Sequence, residues 1–330
     1  MNQPSIMALA DLATPMAVRV AATLNLVDHA GSTGATADQL AAATGTHALS
    51  LRFLLDHLVT VGVFDHDPPS GRYRPTDLGA QMSEDAPQGF KRVLDINRAG
   101  GRGELAFVEL LETITTGGSA YARRYGRGFW EDLDEHPELR SSFDDQMNWR
   151  FRGQAEQIAE NFDWSRFPHI IDVGGGDGAL LRPILHTHPN VQGQILDLPP
   201  TAAAATTRLE AEGLTNRATA IPGTFFDPLP TGADAYILSD IIHDWDDDHS
   251  RKILTRCREA ATPNGTVVVI EPVLGNGVST GLNLFMVMCF QSRERTVDEL
   301  TNLASECGLV LRETKQVADG RTALEFGVAT

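Results

Sequence analysis

His169-Ile170-Ile171-Asp172-Val173-Gly174-Gly175-Gly176-Asp177-Gly178 is the stretch that decides the fold. A short apolar run stops abruptly at a glycine turn, and a helix is expected to start near Ala179. Glycine lets the backbone approach a ligand closely, and such a turn feeds a helix N-terminus. Asp172 lies inside the strand end, two residues before the first glycine.

Two cofactor classes compete for this turn. Gly174-x-Gly176-x-x-Ala179 formally fits the dinucleotide fingerprint. The carboxylate of Asp172 would repel a pyrophosphate, whereas a cationic amino-acid cofactor would welcome it. The turn therefore suits S-adenosylmethionine. Downstream, residues 193–198 read as a second strand ending in Asp197, an acid that either cofactor needs for its ribose hydroxyls.

Working outward, strands are expected at 169–173, 194–198, 218–222, 234–239, 266–271, 309–315 and 323–328, with helices between them. This alternation implies an α/β fold with a doubly wound, mainly parallel seven-stranded sheet. Ligands bind such sheets at the carboxyl ends of the strands, where Asp172, Asp197, Thr224, Ser239 and Glu271 fall.

The N-terminal part differs. Residues 5–29 carry helical apolar spacing, Thr36 is an N-cap candidate, and a helix is expected over 48–61. Gly62 ends it, and residues 63–75 read as a hairpin. Helix, helix, hairpin is a winged-helix pattern, and a DNA-binding regulator is one rival reading. The charges oppose it: between residues 36 and 65 Arg52 is the only lysine or arginine, against Asp38, Asp56 and Asp65. The expected organisation is an all-helical winged-helix dimerisation domain, its hairpin apart, over 1–100 and a catalytic domain over 101–330. The latter divides into a helical substrate-binding segment at 101–162 and a cofactor-binding α/β core at 163–330. Within the helical segment, Phe107, Leu110, Leu111 and Ile114 form one stripe. Phe129, Trp130, Phe143, Met147, Trp149 and Phe151 read as one aromatic cluster, either core or pocket wall.

The 330 residues allow two domains, and the net charge of −17 argues against nucleic acid or an anionic membrane as the main partner. Cys257, Cys289 and Cys307 form no C-x-x-C pair and suit a cytoplasmic protein with reduced thiols. The N-terminus has no signal-peptide pattern, and no segment is expected to span a membrane.

His243-Asp244-Trp245 follows the fourth strand. A histidine there can take a proton from a substrate hydroxyl, or simply pack in a helix turn. Glu271 ends the fifth strand, and Glu294 precedes a helix. A carboxylate beside histidine orients the ring and stabilises its protonated form. Glu294 could equally be a helix N-terminal acid or pair with Arg293 or Arg295. Asp246-Asp247-Asp248 reads as acids opening a helix, and no metal-binding set is identified.

Together these motifs resemble the S-adenosylmethionine-dependent O-methyltransferases of the plant caffeate type and their bacterial relatives in aromatic polyketide biosynthesis. The resemblance covers nearly the whole length. It rests on residues 73–79, Asp172–Gly178, Leu196-Asp197-Leu198-Pro199, His243-Asp244-Trp245, Ile270-Glu271-Pro272 and Glu294-Arg295-Thr296. It implies that His243 is the base that deprotonates a phenol, with Glu271 and Glu294 flanking it. It places cofactor contacts at Asp172, Gly174, Gly176, Asp197 and Leu198. Phe225 would cover the adenine, beside Thr224 and Phe226, with Ser239 and Trp245 walling the site. Met147 would pack on the acceptor ring, with Phe143, Trp149, Asp244, Asn283 and Met286 as further acceptor contacts. The implied cofactor is S-adenosylmethionine without a metal, and the implied partners are a small phenolic acceptor and a second copy of the chain. Some proteins of this fold keep the cofactor for hydroxylation, decarboxylation or cyclisation, which is the alternative activity. The chain departs from the family pattern in four places. Thr224 stands for an aspartate, Ser239 for a basic residue, Asn283-Leu284 for Asp-Leu, and Gln291-Ser292 for Gly-Gly.

Overall fold

The computed structural model of the chain describes residues 5–261, 263–275 and 280–329. Its contacts divide the chain into two compact units. One comprises Met1–Leu105 with Trp130–Gln146, the other Ala106–Phe129 with Met147–Thr330. Residues Trp130–Gln146, which the sequence groups with the substrate-binding segment, thus have their contacts in the first unit.

In the first unit, β1 (Ala35–Thr36), β2 (Phe64–Asp67) and β3 (Arg72–Pro75) form an antiparallel sheet in the order β1-β3-β2. The hairpin is the one expected, and β1 adds a strand to it. Thr36 caps helix Ala37–Thr44 in a reciprocal box with Gln39, satisfying two backbone donors that the first turn leaves free. Leu26, Leu40, Leu55, Leu58 and Phe64 are fully buried between helices and sheet.

The single helical stretch expected over 5–29 is broken into Ile6–Leu9, Ala13–Thr23 and Leu26–Ala30. Both carboxylate oxygens of Asp11 accept backbone N–H groups, from Ala13 and Thr14, so a new helix starts there. Asn25 adopts φ 53° at the second break. The expectation of no membrane-spanning stretch needs one correction. Residues Ile6–Thr23, with a mean hydropathy of 1.3, are long and apolar enough by composition. The break at Asp11 leaves an 11-residue helix, about 16 Å long, against a hydrocarbon core of about 30 Å.

The second unit holds the sheet: β4 (His169–Val173), β5 (Gln192–Asp197), β6 (Ala218–Pro222), β7 (Ala235–Ser239), β8 (Thr266–Glu271), β9 (Leu309–Ala318) and β10 (Arg321–Val328). The order is β6-β5-β4-β7-β8-β10-β9, with the first five parallel and β10 antiparallel to both neighbours. All seven expected strands are present. Helices cover both faces, so the central strands read as unbroken apolar runs; every residue of β8 is buried. The strand order reverses beside β4, the switch point at which such sheets open a crevice.

Two local expectations change. The helix after the glycine turn begins at Leu181, not near Ala179, because residues 176–180 remain in turns. The aromatic cluster is divided. Phe129 packs on Tyr121 and Phe290, Trp130 meets Phe143 edge-on at 5.4 Å, and Phe151 packs on the core beneath the sheet. In the neighbouring stripe, Phe107 faces Phe285, but Leu111 and Ile114 point outward, 75% and 66% exposed.

Candidate active site

The turn after β4 is built for close approach. Gly174 has φ 74°, and a Cβ there would lie 2.6 Å from Ile241 Cδ1 and 3.3 Å from Phe225 Cε1. Only glycine fits both the backbone and the space. Gly176 has φ 62° and open space where its side chain would be. Its N–H donates to Asp197 Oδ2 at 2.9 Å, while Asp197 Oδ1 accepts from Leu198 N at 2.7 Å. The carboxylate is therefore fixed at the end of β5, beside the glycine turn.

Asp172 is 1% exposed, and its Oδ2 has no hydrogen-bond partner among the described residues. Burial, and secondarily the charge of Asp197, push its pKa up to about 7. A buried carboxylate without a donor, beside an open glycine turn, fits the cationic end of S-adenosylmethionine. Phe225, Phe226 and Trp245 form an edge-to-face trio at 4.9–5.8 Å, suited to a flat base. Thr224 Oγ1 accepts from Phe226 N and holds this turn. Ser239 Oγ, at the end of β7, is buried without a hydrogen-bond partner among the described residues.

His243 lies on a short 3₁₀ turn, Ile242–Asp244, just past β7. Glu271 builds that turn: its Oε1 accepts from the N–H groups of Ile241 at 3.0 Å and Ile242 at 2.7 Å. The imidazole is 7% exposed. Its Nδ1 is 3.2 Å from both oxygens of Glu294 and 3.5 Å from Glu271 Oε2. Its Nε2 lies 3.5 Å from Asp244 Oδ1. Burial alone would lower the imidazole pKa, but the charges of Glu271, Asp244 and Glu294 outweigh it and hold the ring well above its ordinary range. Burial raises Asp244 to about 7.

Glu294 is fully buried, so a surface ion pair does not describe it, and the helix that follows is capped by Thr296 with Glu299. Arg293 and Arg295 turn to Asp247 instead. Asp247 opens helix Asp247–Ala261. Asp240, His243 and Glu271 have ligand-capable atoms within 4.8 Å of one another. Arg321 pairs with Asp240, and the backbone amides of Ile241 and Ile242 hold Glu271 Oε1.

Three departures from the family pattern act on this cluster. Asn283 Oδ1 accepts from Glu294 N at 3.0 Å. Gln291 adopts φ 55°, a conformation natural to the glycine it replaces. Ser292 Oγ bridges the carbonyls of His243 and Trp245. Met286 is buried, its carbonyl accepting from Ser292 N, while Met147 and Trp149 are half-buried on helix Pro137–Asn161. Phe143 lies on the same helix within the first unit. The sequence reading missed Asp240, although it adjoins Ser239, and Arg321, which nothing in the sequence ties to His243.

The O-methyltransferase domain family matches residues 107–310, and the O-methyltransferase dimerisation domain matches residues 7–85. The chain belongs to this family of S-adenosylmethionine-dependent O-methyltransferases. It is 47% identical to the 2,7-dihydroxy-5-methyl-1-naphthoate 7-O-methyltransferase of Streptomyces carzinostaticus over 312 residues, 94% of each chain. It is also 40% identical to aclacinomycin 10-hydroxylase RdmB of Streptomyces purpurascens, over 96% of this chain and 86% of that one. The structure of the O-methyltransferase NcsB1 from neocarzinostatin biosynthesis, in complex with S-adenosylmethionine and 2-hydroxy-5-methyl naphthoic acid, superposes with a TM-score of 0.94. Its sequence is 45% identical, and the match covers 99% of this chain and all of that one.

Proposed function

We propose that this protein methylates a phenolic hydroxyl of a small polyketide-derived aromatic acid or polycycle, with His243 as general base and without a metal. One observation carries the assignment of the base: His243 Nδ1 faces two buried carboxylates, Glu294 at 3.2 Å and Glu271 at 3.5 Å. That arrangement directs Nε2 to the acceptor. S-adenosylmethionine, when bound, supplies a methyl group made electrophilic by its sulfonium centre. Asp172, Asp197 and the aromatic trio orient it, with the glycine turn beneath. His243 Nε2 takes the phenolic proton as the oxygen attacks, and Glu294 and Glu271 stabilise the resulting imidazolium. Asp244, beside Nε2, accepts a hydrogen bond from the ring or from the acceptor.

The naphthoates of the similar enzyme and structure support an aromatic acid as acceptor. The dimerisation-domain match supports a homodimer. The hydroxylase relative gives a specific reason to weigh a second reading, in which the cofactor is retained for other chemistry. Mass spectrometry of the protein with S-adenosylmethionine and a panel of hydroxylated naphthoates, benzoates and polycycles separates the two. A product heavier by one methyl group, with matching S-adenosylhomocysteine, supports methyl transfer. An oxygenated or decarboxylated product without S-adenosylhomocysteine supports the second reading. His243→Ala is expected to lose about 100-fold or more in kcat while still binding the cofactor. Retention of most activity would refute the base.

A further inference from the structure

Asp240 occupies the junction between β7 and the turn that carries His243. It adopts φ 53°, which costs a residue other than glycine some strain. Its N–H donates to Ile270 O at 3.0 Å, locking it to the end of β8. Its carboxylate meets Arg321 at the start of β10: Nη2 donates to Oδ2 at 3.0 Å, and Nε lies 3.0 Å from Oδ1. Arg321 is 4% exposed. Register pairing places its neighbour Thr322 opposite Glu271, so Asp240, Glu271 and Arg321 come from three adjacent strand ends. The arginine is itself anchored. Helix Pro137–Asn161 grips the β9–β10 hairpin through Gln154 to Asp319 O, Gln157 to Asp319 N and Asn161 to Val317 O.

We propose that Arg321 is a positioning residue for methyl transfer: its pairing with Asp240 fixes the left-handed residue that leads into the turn carrying His243 and neutralises one of the four carboxyl groups around the imidazole. The inference rests on the assignment of His243 as the base. The imidazole is faced by Glu271 from β8, Glu294 from the segment before helix Val297–Glu306, and Asp240 and Asp244 from its own turn. The nearby cations are Arg321 from β10, Arg295, which donates to Ile242 O, and Arg150, whose charge acts on Asp244. Without Arg321, Asp240 would stand as an uncompensated anion beside a ring whose proton affinity its other carboxylate neighbours already raise. The base would then be free to accept a proton only at higher pH. Without the Asp240 carboxylate, Arg321 would act as an uncompensated cation, and the ring would release its proton at lower pH.

The test is a histidine NMR titration of the full-length protein bound to S-adenosylhomocysteine, with the His243 signal assigned from its loss in His243→Ala. Arg321→Gln is expected to raise the imidazole pKa by about one pH unit and Asp240→Asn to lower it by about as much. The double variant returns it close to the parent, and Arg321→Lys lies between Arg321→Gln and the parent. Opposite signs are the diagnostic, because a purely structural role would disturb both variants alike. Shifts of the same sign, or none, overturn the inference. If Arg321→Gln does not fold, judged by S-adenosylhomocysteine binding, the isosteric Asp240→Asn and the charge-retaining Arg321→Lys carry the same test. An active His243→Ala enzyme would instead overturn the base assignment, a result distinct from either outcome above.

Discussion

Asp172→Asn should make the protein more stable and the cofactor weaker, and both effects should depend on pH. The aspartate is 1% exposed, and its Oδ2 has no donor among the described residues. Its pKa rises from 3.8 to about 7 on folding. A carboxyl whose folded pKa lies above its unfolded one takes up a proton on folding. Its contribution is intact below about pH 4 and is lost as pH rises through about 7. At 1.4 kcal/mol per pH unit, the cost above pH 7 is on the order of 4 kcal/mol. Asparagine removes that cost without changing shape. The ligand-free variant should therefore melt several degrees above the parent at pH 8 and close to it at pH 5. In the proposed function the same carboxylate is the counter-ion for the cationic cofactor, so the variant should bind S-adenosylmethionine about 100-fold less tightly at pH 8. In the parent, binding should release close to one proton near pH 6.5 and tighten as pH rises toward 8. Calorimetry in buffers of different ionisation enthalpy measures that proton, and scanning fluorimetry the stability. A variant that binds S-adenosylmethionine as tightly as the parent, with the same proton release, would refute the role given to Asp172.

Glu294→Gln removes one carboxylate facing His243 Nδ1, so the ring should lose its proton at a pH lower by about one unit or more. The rising limb of the pH–rate profile should move down accordingly, while the maximal rate falls by about 100-fold because the imidazolium loses support; an unmoved limb would contradict the contact. Gly174→Ala places a methyl group 2.6 Å from Ile241 in a left-handed conformation. Calorimetry should show cofactor affinity down by about tenfold or more, with a stability loss of about 1–3 kcal/mol. Dialysis against EDTA should leave methyl transfer unchanged, and restoration of a lost activity by a divalent cation would overturn the metal-free reading of the cluster.

The sequence alone determined the sheet and the places where chemistry could sit. Runs such as Val267–Ile270 read as strands because branched apolar residues favour the extended backbone of a sheet covered on both faces, and the glycine turn ends β4 where only glycine fits. The end of a strand is legible in the sequence, so Asp172, Asp197, His243 and Glu271 could be placed on one edge of the sheet before any coordinates. Helix breaks were harder to read. Asp11 interrupts the N-terminal helix by capping a new one, and apolar spacing alone does not reveal this competition. The stripe through Leu111 and Ile114 marked a face, but periodicity does not say what covers it, and both residues point to solvent. Only the tertiary structure brought Glu294 from 51 residues away onto the Nδ1 of His243, and Arg321 from 81 residues away onto Asp240. The physical reason is distance along the chain. Local propensity and periodicity act over a few residues, whereas the charge that sets a buried histidine's proton affinity comes from strand ends that become neighbours only when the sheet closes in its β4-β7-β8-β10 order.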